Sequence, residues 1–150
     1  MGYTVVNQAE VSPADDRPCE LRRLSAATEL SNVAINRYRA EPGEQIPLKY
    51  HYHDEQEEAF YVLAGMLAVE TPDGTYQVES ESLFTATAGS PHRAYNPADA
   101  EEDVEVLAVG APVVRGDVSE YEPDTNEDDS DAGDTSGEGD SVSEATEGDA

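Results

Sequence analysis

The chain has 150 residues, enough for one domain and a tail. It carries 34 acidic against 8 basic residues, a formal charge of −26. That excludes the positive footprint that nucleic acid or an anionic membrane surface needs, and a single cysteine, Cys19, excludes an intramolecular disulfide.

Residues 1–30 read as an N-terminal arm with Pro13 and Pro18 and a possible edge strand over 3–6. The opening run MGYTVVNQAEVSPADDRPCE has no basic start followed by an apolar stretch, so no secretory signal is expected. Nothing approaches the ~18 apolar residues of a membrane span. The expected location is the cytoplasm. LRRLSAATELS, 21–31, is open between a turn of helix and a strand.

From residue 31 to 116 the pattern is that of a β domain. VAINRYRAE reads as a strand, closed by a turn at Pro42 and Gly43. QIPLKYHYH alternates, with Ile46, Leu48, Tyr50 and Tyr52 on one face and Lys49, His51 and His53 on the other. AFYVLAG is a strand ending at Gly65, and MLAVET and TYQVE flank the hairpin turn Pro72-Asp73-Gly74. SLFTAT, HRAYN and VEVLAVGAPVV follow. Some eight short strands separated by turn residues, with no long 3.6-residue periodicity, predict an all-β sandwich or small closed barrel.

Residues 117–150 carry 14 acidic residues and no basic one. They are Ser/Gly-rich and nearly free of large side chains, so a disordered acidic tail is expected. Residues 1–116 still hold 20 acidic against 8 basic residues, so the tail alone does not account for the charge. An acidic domain with one lysine, Lys49, suits a salt-rich cytoplasm, where ~1 M salt shortens the screening length to ~3 Å. The charge therefore reads as halophilic, against a mesophilic protein with a solubilising tail.

The chain has three histidines, His51, His53 and His92. His51 and His53 are two apart, which on a strand puts both rings on one face, with Cα atoms about 6.5–7 Å apart. Glu58 starts the next strand, and His92 comes from a later one. Three imidazoles and a carboxylate suit one divalent transition metal, Fe, Mn, Ni, Cu or Zn, and four such ligands leave two positions open on an octahedral ion. Glu57 competes with Glu58 for the carboxylate position, but Glu58 shares strand parity with Phe60 and Val62.

The run His51-x-His53-x₄-Glu58-x₆-Gly65 resembles the first motif of the cupin family, and Gly89-x₂-His92-x₃-Asn96 resembles the second. The sequence departs from the pattern at two places: the glycine before His51 is Gly43, with seven residues between, and Thr87 stands where a proline is usual. The resemblance implies a cupin-type double-stranded β-helix, a small antiparallel barrel or jelly roll that is usually a homodimer. By the same resemblance the metal ligands are His51, His53, Glu58 and His92. Lys49 is a candidate for binding an anionic substrate or moving a proton, or else a rim residue paired with acids. Phe60, Val62, Leu83 and Tyr95 are candidate pocket or core residues. Arg93 reads as a surface or dimer ion-pair residue and Asn96 as a turn residue. Arg37 and Arg39 share a strand face, either lining a pocket or facing solvent.

Three functions fit this reading. The first is a metal-dependent enzyme on a small metabolite, either a dioxygenase or a sugar or sugar-phosphate isomerase-epimerase. The second is a binding or sensing module without turnover. The third is a structural barrel with a vestigial site.

Overall fold

The computed structural model describes residues 2–123. The disordered tail expected over 117–150 lies outside them from residue 124 onward. Ten strands run in chain order: β1 Glu20–Arg23, β2 Ala34–Ala40, β3 Gln45–His53, β4 Glu57–Ala64, β5 Met66–Thr71, β6 Gly74–Glu79, β7 Leu83–Ala86, β8 His92–Tyr95, β9 Val104–Ala111 and β10 Val118–Glu120. They form two five-stranded antiparallel sheets, ordered β1-β2-β9-β4-β7 and β10-β3-β8-β5-β6. This is the double-sheet all-β architecture expected, and among the described residues no helix is long and apolar enough to cross a membrane.

The two sheets bury their facing sides against each other, because alternate residues of each strand point inward. Val104, Val106 and Ala108 of β9, Phe60 and Val62 of β4, and Tyr38 of β2 form the first sheet's share of the core. Ile46, Leu67, Val69 and Ala94 supply the second. Leu21 of β1 is fully buried with them. The first sheet therefore begins before residue 31, and β10 pairs with β3 beyond residue 116. The edge strand expected at 3–6 is not formed. Tyr3 and Val5 are 91% and 98% exposed, and the edge belongs to β1 instead. The open question over 21–31 resolves as both alternatives in turn, β1 and then a 3₁₀ turn at Ser25–Ala27.

Strand β3 does not keep one alternation. Ile46, Pro47 and Leu48 are all buried, and after them the buried residues are His51 and His53. Against β8 the pairing runs Ile46 to Ala94, then resumes at His51 to His92, with the register shifted between. Pro47 has no N–H to give a ladder, so a break there costs least. The irregularity moves the inward parity from even to odd residues. Two imidazoles then enter the same interior that Ile46 lines further down the strand.

Candidate metal centre

The sequence places its three imidazoles on one sheet and its carboxylate on the other. His51 and His53 come from β3, and His92 opens β8 directly opposite His51. Glu58 lies on β4 in the facing sheet, registered with Ala86 and Gly110. All four side chains are buried. Glu57, one residue earlier, is exposed, as strand alternation requires.

The ring nitrogens are oriented by the backbone. Nδ1 of His51 lies 2.6 Å from the Lys49 carbonyl oxygen, and Nδ1 of His92 lies 2.9 Å from that of Ser90. A carbonyl only accepts, so each Nδ1 carries a hydrogen and each Nε2 faces inward, that of His51 with a lone pair and that of His92 with a proton where it bonds Glu58. His92 Nε2 then stands 2.7 Å from Glu58 Oε1. His53 Nε2 is 3.2 Å from Glu58 Oε2, and His51 Nε2 is 3.9 Å from Oε1.

Nε2 of His51, Nε2 of His53 and Oε2 of Glu58 are buried and have no hydrogen-bond partner. The 3.2 Å approach of His53 to Glu58 is an ion-pair distance without hydrogen-bond alignment. Orphaned buried acceptors are costly, and a cation would give partners to those of the compact group His51, Glu58 and His92, to which His53 does not belong. His51, Glu58 and His92 each offer a ligand atom within 4.8 Å of the others. The donor set thus fits a divalent transition metal.

The electrostatics follow from burial and mutual contact. Burial pushes the His51 imidazole down to about 3, against the pull of the Glu58 charge. For His92, burial lowers the value, but the hydrogen bond and charge of Glu58 outweigh it and raise it. For Glu58, burial favours the neutral acid, yet contact with His53 and His92 overcomes this and holds the carboxyl well below its ordinary value. Without a metal, a proton on His92 therefore bridges to Glu58. With a metal, the ion takes that proton's place.

Asp117 is part of this neighbourhood, and nothing in its local sequence marks it, because it opens the stretch that reads as tail. It is 5% exposed. Its carboxylate accepts the N–H of Glu55 at 2.9 Å and of Gln56 at 3.0 Å, and Oδ2 lies 3.7 Å from Nδ1 of His53. It fixes the turn between His53 and Glu58.

The other expected site residues separate. Phe60 packs its ring 5.9 Å from the His92 ring, and Val62 is fully buried in the core below. Phe84, passed over in favour of its neighbour, lies 6.2 Å from His92. Leu83 is 59% exposed, across from Tyr61 on the outer side of β7 and at the lip of a cleft. That cleft has a volume of about 600 Å³ and is lined by Tyr76, Phe84, Thr87, Ser90 and His92, among others. Tyr95 falls on the other face of β8 from His92, with the Arg93 guanidinium 4.2 Å over its ring. Lys49 also lies elsewhere. The bulge turns its side chain into an outer cleft with Tyr50, Arg93, Glu120 and Tyr121, so only its carbonyl serves the centre. Arg93 bonds Glu70, as a surface ion pair would. Asn96 is structural: its buried amide donates to the carbonyls of Ala40 and Glu102.

The family model of the cupin domain matches residues 36–110. A search of the curated proteins finds no match. Among solved structures, a proposed sugar phosphate isomerase from Acidithiobacillus ferrooxidans is 25% identical with a TM-score of 0.60, covering 67% of this chain and 64% of its own. This chain thus spans less than two thirds of that protein's length. A sugar phosphate isomerase of the cupin superfamily from Silicibacter pomeroyi is 24% identical, with a TM-score of 0.62 over 72% of this chain and 75% of that one. The polyketide cyclase RemF from Streptomyces resistomycificus is 19% identical, with a TM-score of 0.67 over 86% and 93%.

Proposed function

The chain belongs to the cupin family, and on that premise we propose that it is a metal-dependent enzyme acting on a small metabolite. In this reading His51, His53, Glu58 and His92 hold one divalent transition metal, Fe, Mn, Ni, Cu or Zn. The observation that carries it is the convergence of three imidazole Nε2 atoms on one buried carboxylate, with two of those nitrogens and one oxygen lacking any hydrogen-bond partner. A purely structural core would not leave three such atoms facing one another.

When bound, the ion supplies a Lewis acid with positions left for a substrate. The chain's own part is to keep the centre dry, to fix the imidazole tautomers and to hold Glu58 as the anion. Dioxygenase chemistry would need a redox-active ion with two adjacent open positions, and it would not need a shuttle of the isomerase kind. Isomerase or epimerase chemistry needs a proton shuttle beside the ion, and Lys49, a candidate for that role, opens onto the other cleft. We therefore favour the oxygenase type. The test is metal content by inductively coupled plasma mass spectrometry on native protein, beside a His51→Ala/His92→Ala double variant, followed by O₂ consumption with candidate metabolites. Near-stoichiometric metal that disappears in the variant supports the centre. Metal without turnover leaves the binding-module alternative.

Two further elements belong to the same proposal. A homodimer is supported by the apolar outer side of the first sheet, where Tyr61, Leu63 and Leu83 are exposed; light scattering after size exclusion tests it. A salt-rich cytoplasm is supported by the charge of −26. Full native circular dichroism in salt-free buffer would remove that element.

A further inference from the structure

The cleft that reaches His92 lies between the β5–β6 hairpin turn and the β7–β8 segment. Its chemistry is one-sided. Among the described residues no lysine or arginine lines it, and its charged member besides His92 is the acid Asp73. The basic residues of the neighbouring strands are committed elsewhere. Arg37 pairs with Glu105, Arg39 bonds Asp103 at 3.0 Å, and Lys49 and Arg93 share the outer cleft. The charge of a metal held there would be partly offset by Glu58, with Asp117 next to His53. A phosphate or polycarboxylate placed here would lose its water and find no cation from the chain.

What the cleft does offer is rings and hydroxyls. Tyr76 and Phe84 pack with centroids 5.7 Å apart, and Phe84 continues to Phe60 at 6.1 Å and to His92 at 6.2 Å. The rings make a continuous apolar wall running from the open lip to the ligand imidazole. Beside it the hydroxyls of Thr87 and Ser90 lie 3.0 Å apart. Two hydroxyls sharing one hydrogen bond leave a second O–H free to donate. Ser90 also holds His92 through its carbonyl, so this donor sits one residue pair from the metal ligand.

We propose that the substrate is an uncharged molecule built on a flat ring bearing hydroxyl or carbonyl oxygens, admitted along the Tyr76–Phe84 wall with its oxygens toward His92, and that phosphorylated metabolites are not substrates. This deepens the metal-enzyme reading and rests on it, but it does not depend on the reaction type. The ring lies against Phe84, and the Thr87–Ser90 hydroxyl pair bonds one of its oxygens.

The test is calorimetric titration of metal-loaded full-length protein, its metal content measured on the same sample. The work is done in ~1 M KCl, so that the molecule's overall charge is screened to ~3 Å and the local lining decides. The probes are 2-hydroxyacetophenone and 8-hydroxy-1-tetralone as uncharged ring compounds, and glucose 6-phosphate as the anion. At least one ring compound is expected to bind about tenfold or more tighter than glucose 6-phosphate, and Phe84→Ala to weaken it by about tenfold, the equivalent of ~1.4 kcal/mol. Phe84→Leu, which keeps the packing but removes the ring face, is expected to weaken it similarly while retaining metal and melting temperature. Equal or tighter binding of glucose 6-phosphate overturns the proposal and leaves the metal centre standing. So does the absence of saturable ring binding, or ring binding indifferent to both variants. A sample that takes up no metal overturns the centre itself.

Discussion

Asp117 Oδ2 stands 3.7 Å from Nδ1 of His53, and the same carboxylate accepts the backbone N–H groups of Glu55 and Gln56. One buried acid thus ties β10 to the turn that separates one metal-ligand candidate, His53, from another, Glu58. Asp117→Ala removes the acceptor and leaves the buried Gln56 N–H unpaired, at ~1–3 kcal/mol, together with the half-buried N–H of Glu55, which water can reach. It also frees the His53 ring, and loss of such outer partners lowers metal affinity by roughly 10–100-fold. Asp117→Asn keeps one acceptor oxygen and is expected to recover most of the stability but less of the affinity. Chelator-competition titration and urea unfolding of the metal-free protein separate the two effects. Unchanged affinity in both variants would show that Asp117 serves the turn alone.

Strand parity distinguishes Glu58 from Glu57 sharply. Glu58 points into the centre and Glu57 into solvent. Glu58→Gln replaces the anion that meets His53 and His92, and bound metal is expected to fall by about two orders of magnitude, since a ligating carboxylate must be ionised. Glu57→Gln is expected to retain wild-type metal. Equal metal in the two variants, read by mass spectrometry after desalting, would sink the assignment.

The metal-free protein has a defined response to acid. The His51 pKa is depressed from 6.5 to about 3 by burial. Below 6.5 the unfolded chain therefore binds a proton that the folded chain refuses, and stability falls as pH drops toward 3, by about 1.4 kcal/mol per unit for one proton. Glu58, also depressed, adds to the loss at the acid end. His92 is raised, so its contribution is intact below the ordinary histidine range and is lost as pH climbs through its raised value. Urea midpoints between pH 7 and 4 are expected to decline, and His51→Asn is expected to flatten the decline. A flat profile for the parent protein would show that His51 titrates normally.

The legible part of the site is the part written in strand alternation. His51, His53, Glu58 and His92 sit at inward positions of short strands, and the spacing of two and the parity with Phe60 are local properties of sequence. Lys49 was open between a pocket role and a rim residue, and strand alternation could not decide between them. The register shift between Ile46 and His51 depends on how β3 meets β8, and alternation read along one strand cannot register a bulge. Phe84 was missed for Leu83 because SLFTAT supports either parity until β4 fixes it, pairing Phe84 with Phe60 and Leu83 with Tyr61. Asp117 was illegible because β10 has three residues, Val118–Glu120, and gains its order entirely from pairing with β3. Its composition is that of the acidic stretch following it.

Gly65, the glycine that closes the first motif, is where a backbone requirement and a packing requirement coincide. Its φ is +80°, and a Cβ built there would lie 2.4 Å from the Asp103 carbonyl oxygen and 2.9 Å from the Val104 Cα. Both are backbone atoms at the head of β9, the strand between β2 and β4, so neither can yield without moving the centre of the sheet. Gly89 has the same φ of +80° with nothing within 4 Å. Gly89→Ala therefore isolates the cost of the left-handed backbone, ~1–2 kcal/mol, while Gly65→Ala adds the clash and is expected to cost about 3 kcal/mol or more in all. The comparison is read as the difference in urea midpoint between the two variants at equal m-value. If Gly65→Ala costs no more than Gly89→Ala, the contact with β9 relaxes freely and the motif glycine answers to its turn alone.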